Sequence, residues 1–194
     1  MHPVLSGQQF FVKEQVGLFK AANHYDVFDP ATKQKIIECR EPRLGIFTKL
    51  LRFTDYKRMT PFRIEVTTPE GQRVLTVKRG ISIFLSKVEV LDEQDRVVGA
   101  FKQKLFSIGG KFTVLDAQGQ AVCTLQGQWT SWDFRFMQGN RELASVTKKW
   151  AGLGKELFTS ADNYMLTIKD VPPKDPVRLL ILAAVMCIDM VLKE

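Results

Sequence analysis

Between Arg43 and Arg63 six cations (Arg43, Lys49, Arg52, Lys57, Arg58 and Arg63) stand against one acid, Asp55, and alternate with Phe47, Leu50, Leu51, Phe53 and Tyr56. A basic, amphipathic piece of this kind can lie on anionic lipid, each cation near the surface contributing about 1 kcal/mol. Lys49, Arg52, Lys57 and Arg58 are therefore the candidate contacts to anionic headgroups. The competing reading is a connecting helix whose Lys and Arg heads are merely solvated. Trp129, Trp132 and Trp150 divide in the same way, as interfacial anchors or as aromatic packing.

Covalent chemistry has little to work with. The chain holds two histidines, His2 and His24, and no GxSxG, HExxH or Cys/His signature that would poise a nucleophile beside a base. No catalytic residue is assigned, and the chain is not expected to be an enzyme. Asp189, an acid on an apolar segment, is the one group whose environment could raise its pKa, or else it is satisfied by backbone or by a nearby cation. Gly109-Gly110-Lys111 lacks the GK[ST] and helix start of a phosphate loop and reads as a turn. Cys39, Cys123 and Cys187 are odd in number and lack CxxC spacing, so they read as buried reduced thiols.

These side chains must be positioned by something, and the C-terminus indicates what. Leu179 to Ile188 is an unbroken apolar run within Val177 to Leu192, and that stretch of 16 residues makes a helix of roughly 24 Å. A bilayer core needs about 30 Å, and Asp189 would sit in hydrocarbon at a cost of about 2.5–3.5 kcal/mol. A helix apolar on all sides that does not span must be covered by its own protein. Upstream, a hairpin template recurs every 24 residues, at Val66–Val74, Val90–Val98 and Val114–Val122, with turn formers between β-rich arms. Tyr25 to Cys39 and Phe134 to Val146 are cousins of it. With Phe10–Lys13, Phe62–Thr67, Val74–Lys78, Phe101–Lys104 and Tyr164–Ile168, about 12 short strands follow in meander spacing. A second helix is expected within Leu44–Phe53. The fold class is mainly β: an antiparallel barrel closed around the C-terminal helix.

The 194 residues suit one domain, with residues 1–9 as a flexible N-terminus and 177–192 as the central helix. A net charge of +7 points to anionic partners, membrane surface or nucleic acid. No signal peptide, transmembrane span or lipidation motif is legible, so the expected place is the cytoplasm, peripheral at the inner face of the plasma membrane, as a monomer.

The segment Lys148-Lys149-Trp150 through Glu156, Phe158, Asp162, Asn163 and Tyr164, followed by the apolar helix ending at Ile188-Asp189, resembles the C-terminal part of the phospholipid scramblases. Phe10 to Gln15, Asn23-His24-Tyr25 and Pro61-Phe62 fit the same order of motifs, so the resemblance runs from about Phe10 to Leu192. It implies the tubby-like fold shared with the LURP-one-related proteins, a 12-stranded barrel around a hydrophobic helix. It also implies phospholipid binding and calcium-stimulated movement of phospholipid between leaflets. In that family an acidic stretch before the final helix is the proposed calcium site; carried over, it makes Asp162, Asn163 and Asp170 the candidate metal ligands, with Ser160 where the family has its first aspartate. Calcium takes 6 to 8 oxygen ligands, so the lost carboxylate lowers affinity. On their own chemistry, Asp162 and Asn163 read equally as caps of a turn. The family's proline-rich N-terminal extension and cysteine cluster have no counterpart here. A second function class is a tubby-like scaffold or nucleic-acid-associated regulator using the same basic surface, which would bind with strong salt dependence.

Overall fold

The computed structural model describes residues 2–15, 24–42, 60–81, 87–103, 111–128, 132–148 and 163–192, with side chains in the last helix through Ile188. Twelve strands follow in chain order: β1 (Gln9–Glu14), β2 (Tyr25–Phe28), β3 (Lys35–Arg40), β4 (Phe62–Thr67), β5 (Arg73–Arg79), β6 (Lys87–Leu91), β7 (Val97–Gln103), β8 (Phe112–Asp116), β9 (Ala121–Gln128), β10 (Asp133–Gln138), β11 (Arg141–Thr147) and β12 (Asn163–Ile168). Each pairs antiparallel with its sequence neighbours, and β1 closes on β12 with Phe10 opposite Leu166 and Val12 opposite Tyr164. Closure leaves no strand edge exposed. The helix α1 (Val177–Leu192) runs up the middle.

Alternation explains the wall. In β4 Phe62, Ile64 and Val66 are buried while Arg63 is exposed, and β10 repeats this with Phe134 and Phe136 in and Arg135 out. Every residue of the apolar run from Leu179 to Ile188 is at most 4% exposed. A helix with side chains is about 10–12 Å across, and this barrel is filled by it. The fit is closest at β7, where a Cβ on Gly99 would stand 3.0 Å from Leu180 and 2.1 Å from the Leu115 carbonyl oxygen. The three cysteines are free and buried; burial pushes the Cys39 and Cys123 thiols up to about 12 and raises Cys187 in the same way, so none is a poised nucleophile.

The 24-residue template is a structural repeat. In β4–β5, β6–β7 and β8–β9 the register shifts directly after Val66, Val90 and Val114. The turns that follow are closed by the same bonds, from Thr68, Asp92 and Asp116 N–H to the carbonyls of Gln72, Arg96 and Gln120. Positive φ falls at Gly71, Asp95 and Gly119, also 24 apart. At the first turn position a side-chain oxygen accepts from backbone N–H: Asp92 from Gln94 and Arg96, Asp116 from Gln118 and Gln120.

Within residues 2–9, expected as a flexible N-terminus, Leu5 is buried while Pro3, Ser6, Gly7, Gln8 and Gln9 are exposed. Pro3–Ser6 form a 3₁₀ turn, His2 Nδ1 accepts from the Val4 N–H at 3.2 Å, and Leu5 is 1% exposed. What fastens them is Arg178. Its Nη1 donates to the carbonyls of Leu5 and Gly7 at 2.7 Å each, its Nε to Val171 and Pro172 at 3.1 and 3.0 Å, and its Nη2 to Val171 at 2.9 Å. The side chain is 2% exposed, and the loss of water lowers its pKa from the ordinary arginine value while Asp175 pulls the other way. Asp175 also accepts from the Val177 N–H at 2.9 Å, capping α1 with a carboxylate at the positive end of its dipole. The helix expected within Leu44–Phe53 lies outside the described residues, as do Trp129 and Trp150; the side chain of Asp189 does too.

Candidate functional site

Antiparallel strands give the barrel two chemically distinct ends. At the entry rim, where α1 begins, lie the N-terminal turn, the five short hairpin turns and the stretch from β12 to α1. At the exit rim, where α1 ends, the strand ends are joined by the segments 15–24, 41–61, 80–86, 104–111, 129–132 and 148–162. Those exit segments carry eleven basic residues (Lys20, Arg43, Lys49, Arg52, Lys57, Arg58, Lys104, Lys111, Lys148, Lys149, Lys155) against four acids (Glu41, Asp55, Glu156, Asp162). The entry segments hold seven acids (Asp29, Glu70, Asp92, Glu93, Asp95, Asp170, Asp175) against Lys33, Arg96, Lys169 and Lys174. Counted along the sequence, the connections that join the strands at the exit end have an excess of seven positive charges and those at the entry end an excess of three negative charges. The strand walls between them carry charges that are paired across neighbours, such as Lys78 to Glu89 and Arg135 to Glu142, each at 3.3 Å.

Lys49, Arg52, Lys57 and Arg58 lie outside the described residues, within the connection that joins β3 to β4. Asp162 lies outside as well. Asn163 is the first residue of β12 and is 7% exposed, whereas Asp170 follows the far end of that strand and pairs with Arg141 Nε at 2.5 Å. Seven residues of extended chain separate them, roughly 20 Å at 3.3 Å per residue, so one ion cannot be held by both. The residues do not fit a calcium centre built from Asp162, Asn163 and Asp170 together, and among the described residues no cluster of three His, Cys, Asp or Glu could hold a metal. His2 caps a turn and bonds Gln72 at 2.9 Å, which is structural work.

Two cation–aromatic pairs sit at the exit end of the strands. Arg79, the last residue of β5, stacks its guanidinium 4.8 Å from the Phe62 ring and donates to the Thr60 carbonyl at 2.8 Å. Lys148, just past β11, holds its Nζ 4.0 Å from the Trp132 ring centroid and 5.8 Å from that of Tyr164. The Trp132 and Tyr164 rings are 5.2 Å apart and tilted by 38°, and Phe134 meets Trp132 edge-on at 6.1 Å. Trp132 has φ of +49°, a left-handed conformation that costs a bulky residue about 1–2 kcal/mol. Its only companions of that kind among described non-glycine residues, Lys33 and Asp95, are in entry-rim turns. Ile81, at the exit end of β5, is 77% exposed, a large apolar side chain facing water. Sequence reasoning singled out Trp132 but not its partners: Lys148 and Tyr164 reach it only through the β10–β11–β12 register, which local patterns do not state.

The scramblase family profile matches residues 3–194, nearly the whole chain. The chain belongs to the scramblase family. It is 26% identical over 116 residues to "Phospholipid scramblase family member 5" of Homo sapiens, which covers 52% of this chain and 43% of that protein. Over 173 residues it is 23% identical to "Altered inheritance rate of mitochondria protein 25" of Saccharomyces cerevisiae, covering 76% and 52% respectively. The scramblase-family chain thus spans about half the length of the curated relatives it matches. Its fold is shared with the X-ray structure of an Arabidopsis thaliana protein, AT5G01750, at a TM-score of 0.52 and 10% identity, covering 93% of this chain and 92% of that one. Among the described residues no helix is long and apolar enough to cross a membrane.

Proposed function

We propose that this scramblase-family chain binds anionic phospholipid non-covalently at a membrane surface through its exit rim, with Lys49, Arg52, Lys57 and Arg58 contacting headgroups from the cytoplasmic side. The observation that supports the reading is the charge asymmetry of the connections: those joining the strands at one end carry eleven cations against four acids, those at the other seven acids against four cations. An anionic surface would orient such a particle exit rim first, because the entry rim is repelled while the basic rim is attracted. The apolar residues interleaved with those cations, Phe47, Leu50, Leu51 and Phe53, and the exposed Ile81 suit the headgroup–acyl boundary. Movement of phospholipid between leaflets, the activity the family resemblance implies, would then proceed from the rim, since α1 fills the barrel interior.

The test is a titration of pure protein against phosphatidylserine-containing vesicles and against duplex DNA at matched salt. Vesicle binding that falls at least tenfold on Lys49→Glu with Arg52→Glu is expected. Equal binding of the doubly reversed protein, or tighter and sequence-dependent binding to DNA, would overturn the reading in favour of a scaffold or nucleic-acid regulator.

A further inference from the structure

We infer that Trp132 and Tyr164 form a receptor for a quaternary ammonium, the choline end of a zwitterionic phospholipid headgroup, and that Lys148 occupies it in the ligand's absence. The inference rests on the reading of the exit rim as membrane-facing, and adds to anionic attraction a second headgroup class held by a different force.

The geometry is that of a cation seated over one ring and beside a second. Lys148 Nζ stands 4.0 Å from the Trp132 centroid and 5.8 Å from that of Tyr164, both within the roughly 6 Å over which a ring quadrupole attracts a cation. The two rings lie 5.2 Å apart at 38°, so they make a shallow wedge rather than a stack. The wedge is built rigidly. Phe134, fully buried, braces the Trp132 edge at 6.1 Å, and Tyr164 is 1% exposed. The Lys148 N–H also donates to the Trp132 carbonyl at 3.3 Å, tying the two strand ends together. Trp132 is held at φ +49° to present its face here, a conformation that a turn alone would assign to glycine or asparagine. Trp132 and Lys148 are themselves half-buried, so both keep part of their surface in contact with solvent.

A lysine ammonium is a poor permanent tenant. It is strongly hydrated, sits on a flexible four-carbon stem, and can swing into water. A trimethylammonium spreads its charge over methyl groups, loses less hydration on entering, and offers apolar surface to both rings. Exchange of one cation for the other keeps the charge over the rings constant. The released Lys148 would then stand next to the phosphate that every choline headgroup carries, where its charge is again useful.

The closing experiment uses the full chain with Trp129→Phe and Trp150→Phe, so that Trp132 alone reports through its indole N–H resonance and fluorescence. Tetramethylammonium chloride and soluble dihexanoyl phosphatidylcholine are titrated at constant ionic strength against the neutral isostere tert-butanol. A saturable Trp132 response to both cations and none to tert-butanol is expected. Lys148→Ala removes the competitor and should tighten that binding about threefold or more, a gain that a purely structural lysine would not produce. Trp132→Leu should abolish it, and Trp132→Phe should weaken it by a smaller factor if the leucine variant fails to fold. No saturable response in either the lysine or the Lys148→Ala protein, or an equal response to tert-butanol, overturns the inference. Cosedimentation with purely anionic vesicles separates the two ideas: its loss defeats the basic-rim reading, while the solution titration judges the ammonium site independently.

Discussion

The two rims of this barrel are built to opposite rules. At the entry rim the hairpin connections run from two residues (139–140) to six (29–34), and three of them share the same conformational devices: an acceptor side chain at Thr68, Asp92 and Asp116, a positive φ at Gly71, Asp95 and Gly119, a register shift just before. At the exit rim the connections run up to 21 residues, from 41 to 61, and hold most of the unbalanced charge. Residues that fix register have little freedom to vary their chemistry, whereas residues in long connections have it. Side-chain chemistry is therefore freer to vary at the end that does not set the strand pairing.

That comparison is most easily broken by charge. Reversing Lys49, Arg52, Lys57 and Arg58 together to Glu removes about 1 kcal/mol of surface attraction per cation and adds repulsion. Affinity for phosphatidylserine vesicles should fall about a thousandfold or more in cosedimentation at physiological salt. The matched control, Lys33→Glu with Lys174→Glu on the entry rim, should leave affinity within about twofold. A comparable loss from the entry-rim pair would show that net charge, and not its placement, drives association.

Arg178→Leu comes next. Four backbone carbonyls lose a shared charged donor inside a site from which water is excluded, and charged hydrogen bonds contribute about 1.5–3 kcal/mol each before compensation. A loss of about 3 kcal/mol in urea unfolding is expected, with early proteolysis within residues 2–8. Arg178→Lys, which keeps the charge but not the fork, should recover less than half. An unchanged midpoint for Arg178→Leu would mean that the N-terminal turn is held by Leu5 packing alone.

The fold was legible because its signals are local and redundant. Ten apolar residues without a polar interruption are too short to span a bilayer and must be covered, and α1 runs over Val177–Leu192 as expected. The 24-residue template gave three hairpins, and alternation gave the strands beside them. Arg178 was not legible as a clasp: its acceptors Leu5 and Gly7 are more than 170 residues away in sequence. The wedge around Trp132 was hidden for the same reason, because Lys148 and Tyr164 become its neighbours only once β10, β11 and β12 are in register. Asn163 and Asp170, near in sequence, stand beyond one ion's reach of each other because β12 lies between them.

The entry rim itself is sharpened by its glycines. Gly119 has φ of +80° with open space where a Cβ would stand, so Gly119→Ala meets no clash and isolates the backbone cost. About 1 kcal/mol of destabilisation is expected, or a melting shift of about 2–4 °C for a chain of this size. Vesicle affinity should not move. A glycine-free turn that melted normally would imply that the bulge after Val114, and not the positive φ, sets the β8–β9 register.

The smallest effect lies in acid. Burial pulls the Asp92 carboxyl up, but the Arg96 side chain and the backbone N–H groups of Arg96 and Gln94 outweigh it and leave the pKa below the ordinary 3.8. A carboxylate lowered on folding contributes stability that is present in full above its unfolded pKa and is lost as pH falls through the folded value. Asp92→Asn should therefore cost about 0.5 kcal/mol at pH 7, because Arg96 is largely solvated. The cost should shrink only as pH falls through the folded-state pKa of Asp92, which lies below the ordinary 3.8. Unfolding free energies measured from pH 7 down to pH 2 should converge for the two proteins only in that acid range. Lines that stay parallel throughout would assign the turn's stability to its backbone geometry rather than to charge, and would leave the acidic character of the entry rim as an orienting field alone.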